Sequence, residues 1–157
     1  MFSEEDAVKK EQFKEIISFA IERENEAENF YIEAAEKAKW PHIRELLLEM
    51  SKEEQGHARY LSGIKMDELD DENIEPIPNL KLSDYLVEME YKPDMDFQSI
   101  MIIAMKREKR AVKLYEELAS TCTDPSVCKL FALMAEEEKK HKLKLEKEYE
   151  ETVLQDN

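Results

Sequence analysis

Apolar positions recur along this chain at alternating steps of three and four, and they do so in four separate stretches. Such steps keep side chains on one face of an α-helix, so each stretch predicts a helix with one buried seam. The first, about residues 5–38, lines up Phe13, Ile17, Ala20, Glu24, Ala27, Tyr31, Ala34 and Ala38. The second, about 42–64, gives Ile43, Leu47, Met50, Glu54, His57, Leu61 and Ile64. The third, about 95–120, gives Phe97, Met101, Ala104, Glu108, Ala111, Tyr115 and Leu118. The fourth, about 125–150, gives Val127, Leu130, Met134, Glu138, His141 and Leu145. Pro41 and Pro125 suit first-turn positions, and Asp124 suits the N-cap before the latter.

Short links join the first helix to the second and the third to the fourth, which predicts two antiparallel hairpins, 5–64 and 97–150. Between them an acidic segment, 65–96, holds Pro76, Pro78 and Pro93, with room for one short helix near Ser83–Met89. A connection of that length can run the height of a four-helix bundle. The 157 residues fit a single all-α domain, and only two glycines and five prolines interrupt a chain rich in strong helix formers.

The hairpins repeat one another. A shift of 84 residues carries Ala20, Arg23, Glu24, Ala27 and Tyr31 onto Ala104, Arg107, Glu108, Ala111 and Tyr115 without a gap. The same shift carries Pro41, Met50, Glu53, Glu54, His57 and Leu61 onto Pro125, Met134, Glu137, Glu138, His141 and Leu145. The repeat predicts a bundle with internal pseudo-two-fold symmetry, in which a site on the axis receives equal contributions from each half.

Four residues on these seams do not belong in an apolar core: Glu24, Glu54, Glu108 and Glu138. An ionised carboxylate there costs several kcal/mol unless it is paired or bound to a cation. His57 and His141 each follow a seam glutamate by three residues and so share its helix face. One Glu from each of two helices, plus Glu-x-x-His from each of the other two, is the inward set of a two-metal carboxylate bundle. Four carboxylates balance two divalent cations, and neutral imidazole adds a nitrogen donor to each. The repeat assigns Glu54 and Glu138 as bridges, with Glu24 and His57 terminal on one metal and Glu108 and His141 on the other. Iron is the expected metal, and manganese or zinc would accept the same donors.

Tyr31 and Tyr115 lie two turns beyond Glu24 and Glu108 and are candidates to hydrogen-bond a ligating carboxylate. Arg23 and Arg107 are expected as surface salt-bridge residues, Glu53 and Glu137 as solvated, and His42 as a surface residue. Gly56 sits inside the Glu54–His57 turn, where a close helix approach is one explanation.

The net charge of −15 argues against nucleic acid and anionic membrane surfaces as partners. No apolar run approaches ~18 residues and the N-terminus lacks an apolar leader core, so a cytoplasmic protein is expected. In that setting Cys122 and Cys128, with five residues between them, are expected as free thiols.

The segments ERENEAENFY, EEQGHARYL, EKRAVKLYEELA and EEEKKHKLKLE resemble the rubrerythrin-like branch of the ferritin-like superfamily, from about residue 12 to residue 150. The resemblance implies a ferritin-like bundle, often dimeric, with a non-haem di-iron centre that reacts with hydrogen peroxide or oxygen. Two features depart from the family pattern. No Cys-x-x-Cys knuckles of a rubredoxin domain are present, so electrons are expected from an external donor such as a rubredoxin-like protein. The family's extra glutamate, three residues after the third-helix ligand, is here Ala111. The leading expectation is a di-iron oxidoreductase for peroxide or oxygen. The alternatives are a ferroxidase or iron-handling protein, and a non-catalytic bundle stabilised by metal.

Overall fold

The computed structural model describes residues 4–65, 81–87 and 90–156. Four helices carry the fold: α1 (Glu4–Lys37), α2 (Pro41–Ser62), α3 (Phe97–Thr121) and α4 (Pro125–Glu148). They form a four-helix bundle in which α1 packs along α2 and α3 along α4, as two antiparallel hairpins. No strand occurs among the described residues.

The predicted breaks have visible causes. Pro41 and Pro125 occupy the first turns of α2 and α4. The Asp124 carboxylate caps α4 by accepting from the backbone N–H groups of Ser126 and Val127, both at 3.1 Å. Asp96 caps α3 in the same way, accepting from Ser99 N–H at 2.8 Å. Each cap satisfies donors that the helix itself leaves without partners. Helix α4 ends two residues before the predicted limit of 150. Its winding widens into a π turn, Tyr149–Val153, which delivers Val153 into the core.

The connection between the hairpins differs from expectation. Instead of a helix near Ser83–Met89 there is a single 3₁₀ turn, Leu82–Tyr85, after which Leu86 is extended. Residues 88 and 89, and the stretch 66–80 with Pro76 and Pro78, lie outside the described residues. The described part runs between two apolar clusters. Tyr85 belongs to the cluster of Ile17, Leu61, Leu118 and Phe131, and Tyr91 packs against that of Phe30, Leu47, Met101 and Leu145.

The cysteines also correct the sequence reading. Cys122 and Cys128 are joined by a disulfide across the α3–α4 turn, where their Cα atoms stand 5.6 Å apart. The expectation of free thiols rested on compartment. It took no account of the tight turn, which brings Cys122 at the end of α3 over the first turn of α4.

Gly56 has no close neighbour: a Cβ added there meets nothing within 4 Å among the described residues. A close helix approach is therefore not its explanation. Gly56→Ala should stabilise the protein by about 1 kcal/mol through helix propensity alone. Denaturant unfolding checks this, and an unchanged or lower midpoint would contradict it.

Candidate metal centre

The two apolar clusters occupy opposite ends of the bundle, and the six polar seam residues lie in the layer between them. Glu24 follows Ala20 of one cluster and precedes Ala27 of the other, and Glu54 is likewise flanked by Met50 and Leu61. Glu24, Glu54, Glu108, Glu138, His57 and His141 are all at most 2% exposed. The sequence pattern places these six on inward seams, and the structure brings them together.

They form two overlapping groups of four, Glu24–Glu54–His57–Glu138 and Glu54–Glu108–Glu138–His141. Within each group one donor atom from every residue lies within 4.8 Å of the others. Glu54 and Glu138 belong to both. The geometry is two-fold: His57 Nδ1 stands 2.8 Å from Glu138 and 3.5 Å from Glu24. His141 Nδ1 stands 2.9 Å from Glu54 and 3.7 Å from Glu108.

Outside this layer a ring of hydrogen bonds crosses between the hairpins. The Tyr31 hydroxyl donates to Glu108, and the Tyr115 hydroxyl donates to Glu24. Each tyrosine thus reaches the carboxylate of the opposite half, tying α1 to α3. His57 Nε2–H donates to Glu137, and His141 Nε2–H donates to Glu53, tying α2 to α4. Glu53 and Glu137 correct the sequence reading. Their side chains are 39% and 36% exposed, as solvated residues would be, yet each fixes an imidazole. A period-based reading assigns them to the outer face, and their shared position beside Glu54 and Glu138 was the only signal available. His42 is exposed and pairs with Glu148 at 2.8 Å. Arg23 and Arg107 do form ion pairs, both with Glu26, at 2.9 Å and 3.7 Å.

A carboxylate acceptor at Nε2 fixes the proton there, so the neutral imidazole turns an unprotonated Nδ1 inward. That nitrogen is one of six buried atoms in the layer without a hydrogen-bond partner among the described residues. The set is Glu24 Oε2, Glu54 Oε1, His57 Nδ1, Glu108 Oε2, Glu138 Oε1 and His141 Nδ1. Some approach one another within 3 Å but lack hydrogen-bond alignment. One atom from each residue is left over, and unsatisfied buried polar atoms are rare in native proteins. Four oxygens and two nitrogens converging in two groups with a shared pair fit two divalent metal ions.

Without cations, protons must answer these charges. Burial pushes Glu54 well above the usual carboxylate range, and the nearby Glu138, Glu24 and Glu108 push it further. Burial, Glu108 and Glu24 do the same to Glu138. Burial acts to raise Glu108 too, but the proximity of Glu138 and His141 outweighs it and holds Glu108 low. Burial works to lower both imidazoles, and their carboxylate neighbours more than reverse it. His57 is pushed up to about 11 and His141 to about 9.

A cavity of about 470 Å³ opens onto the layer from the α1–α3 side. Glu24, Glu54 and Glu138 lie at its inner end, Ala27 and Ala111 on its walls, and Tyr85 and Tyr91 of the connection over it.

Fold and site together define a ferritin-like bundle with a carboxylate–histidine centre that fits a di-iron site. The Rubrerythrin family model matches residues 15–149, and the chain belongs to that family. Among solved structures it is similar to a protein of Thermotoga maritima described as a ferritin-like diiron-carboxylate protein. The TM-score is 0.69 at 25% identity, covering 87% of this chain and 93% of that one. A hypothetical protein from Pyrococcus furiosus is also similar, with a TM-score of 0.64 at 25% identity over 86% of each chain. Among curated proteins, none matches. No helix among the described residues is long and apolar enough to cross a membrane.

The raised groups set a pH dependence for the metal-free chain. His57, His141, Glu54 and Glu138 all hold protons more tightly folded than unfolded, so their stabilisation fades as pH rises. For the histidines it is complete below the ordinary value of 6.5 and is lost through about 9 and about 11. For the carboxyls it declines above 4.5. In excess chelator the melting temperature should therefore fall from pH 5.5 to pH 9. A flat or rising profile would contradict this protonation pattern.

Proposed function

We propose that the chain is a di-iron oxidoreductase that reduces hydrogen peroxide or oxygen with electrons from a separate donor. The observation that carries this reading is the set of six unpartnered inward atoms in two groups sharing Glu54 and Glu138. Glu24 and His57 would hold one iron, Glu108 and His141 the other, and Glu54 and Glu138 both. Iron bound there supplies the reversible one-electron steps that reduction of an O–O bond requires. Peroxide reduction to two waters takes two electrons and two protons.

The chain's own groups prepare the site for that task. Four carboxylates neutralise two divalent ions, so a change of charge at the metals is met by fixed ligands in a low-dielectric layer. Tyr31 and Tyr115 orient Glu108 and Glu24, and Glu137 and Glu53 orient the two imidazoles. Ala27 and Ala111 leave room for an oxidant on the cavity side.

A second reading, in which iron is itself the substrate of a ferroxidase, draws on the symmetry of the ligand set. Without a glutamate at position 111 the two halves offer equal donors. The readings separate by turnover. The oxidoreductase consumes peroxide catalytically when supplied with a reduced rubredoxin-like donor, whereas the ferroxidase oxidises added ferrous iron and accumulates it.

Elemental analysis of natively purified protein should give about two irons per chain. Glu54→Ala/Glu138→Ala should lose both and abolish peroxide turnover. Sub-stoichiometric metal that ignores this double substitution, even after anaerobic ferrous loading, would sink the di-metal reading. Glu53→Gln/Glu137→Gln should keep the fold but weaken metal affinity about 10–100-fold, since the imidazoles lose their orienting carboxylates. Chelator competition measures the loss, and parent-like affinity would show those contacts to be idle.

A further inference from the structure

The cavity over the carboxylate layer is far larger than peroxide or oxygen needs. Its volume is about 470 Å³, whereas one water molecule takes about 30 Å³ in the liquid. The size falls in the range of pockets that enclose small organic molecules, roughly 300–1,000 Å³. Its walls suit such a guest. Ala27, Ala111, Leu114, Leu86 and Val87 supply apolar surface, and Tyr85 and Tyr91 add aromatic rings.

Three guanidinium groups also line it: Arg23, Arg107 and Arg110. Arg23 is stacked over the Phe19 ring at 4.7 Å and Arg107 over Phe30 at 5.1 Å, which holds both in place. Two carboxylates outside the metal layer, Glu26 and Glu90, line the same cavity. Glu26 is shared between Arg23 and Arg107 and so neutralises only one of the two. Glu22 also approaches Arg23, at 3.4 Å, from a position that is 71% exposed, where screening by solvent weakens the pair. The Nε–H groups of Arg23 and Arg107 are buried with no acceptor among the described residues. Arg23 and Arg107 therefore keep donor capacity that the described residues do not use.

We propose that this cavity binds a small organic monocarboxylate, its apolar body against the Ala27–Ala111 walls and its carboxylate on the Arg23–Arg107 pair. Guanidinium groups match carboxylates in planar, two-point geometry, and an arginine pair sharing a single carboxylate has room for another. The ligand class goes beyond the peroxide or oxygen reading, because neither oxidant carries an apolar body or a fixed negative charge. It does not depend on iron chemistry, since the arginines and the apolar walls belong to the chain, and it requires only that cations or protons answer the layer's carboxylates at the cavity's inner end.

Octanoate and 1-octanol, which share an apolar body and differ in charge, make the test by calorimetry on the chain as purified. Octanoate should bind at least tenfold more tightly than octanol. Arg23→Gln/Arg107→Gln should weaken octanoate at least tenfold and leave octanol unchanged, whereas Arg59→Gln on the exposed face of α2 should change neither. Ala111→Leu, which narrows the cavity, should weaken both, and with Arg23→Gln alone it decides the matter if the double variant does not fold. Equal binding of octanoate and octanol, failure of both to bind, or parent-like octanoate binding after loss of the arginines would overturn the proposal. Iron content measured on the same samples keeps the two readings apart. Protein that stays iron-free even after anaerobic ferrous loading yet still prefers octanoate sinks the di-iron reading alone, and iron-loaded protein with no such preference sinks this one alone.

Discussion

Four carboxylates and two imidazoles in a layer sealed at both ends by apolar clusters are the constraint on which this structure turns. Left bare, each ionised group would cost several kcal/mol, more together than the net stability of an ordinary domain. The bundle therefore requires either cations or protons at its centre. Its cross-links are built to the same end. Within each hairpin the helices pack closely along each other, while the hairpins are tied to each other by Tyr31–Glu108, Tyr115–Glu24, His57–Glu137 and His141–Glu53. The polar layer that threatens the fold is also part of what joins its halves.

The 84-residue repeat gives this arrangement its economy. Because each residue's equivalent lies in the other hairpin, one set of side chains placed once is placed twice, with reversed partners. The near-equality of 2.8 and 2.9 Å, and of 3.5 and 3.7 Å, at the two imidazoles is the physical expression of that repeat. The symmetry holds for the six inward residues and their partners and lapses elsewhere. Trp40 precedes α2 without a side-chain cap, whereas its equivalent Asp124 caps α4. Gly56 stands where the other half has Lys140, and the disulfide has no counterpart in the first hairpin.

How much was legible in the sequence follows from the same physics. A glutamate on an apolar seam is an anomaly that periodicity exposes at once, so the fold and the six inward residues could be read directly. Partners across the bundle could not. Glu53 and Glu137 look like surface residues because they nearly are, and only the distance to the opposite histidine gives them a task. The tyrosines were placed near a carboxylate by their own helix, but nothing in one helix shows that the hydroxyl reaches the other hairpin. The 3₁₀ turn, where a helix was expected, comes from a segment whose path is set by what it covers. The cavity was invisible for that reason, being enclosed partly by Tyr85 and Tyr91 from a connection with no helical period.

The centre has two unlike faces. On the α2–α4 side the imidazoles and their carboxylate partners close it, leaving Glu53 and Glu137 half in solvent. On the α1–α3 side the residues one turn beyond Glu24 and Glu108 are Ala27 and Ala111, and there the cavity reaches the layer. Position 111 is where the family pattern carries a further glutamate. A longer acidic side chain at that point would project into the space that the alanine leaves. The departure from the family pattern thus leaves open the part of the cavity beside position 111. An alanine here gives up a seventh carboxyl-bearing or imidazole donor and gains a chamber bordered by arginines, directly over the carboxylates that both metal groups share.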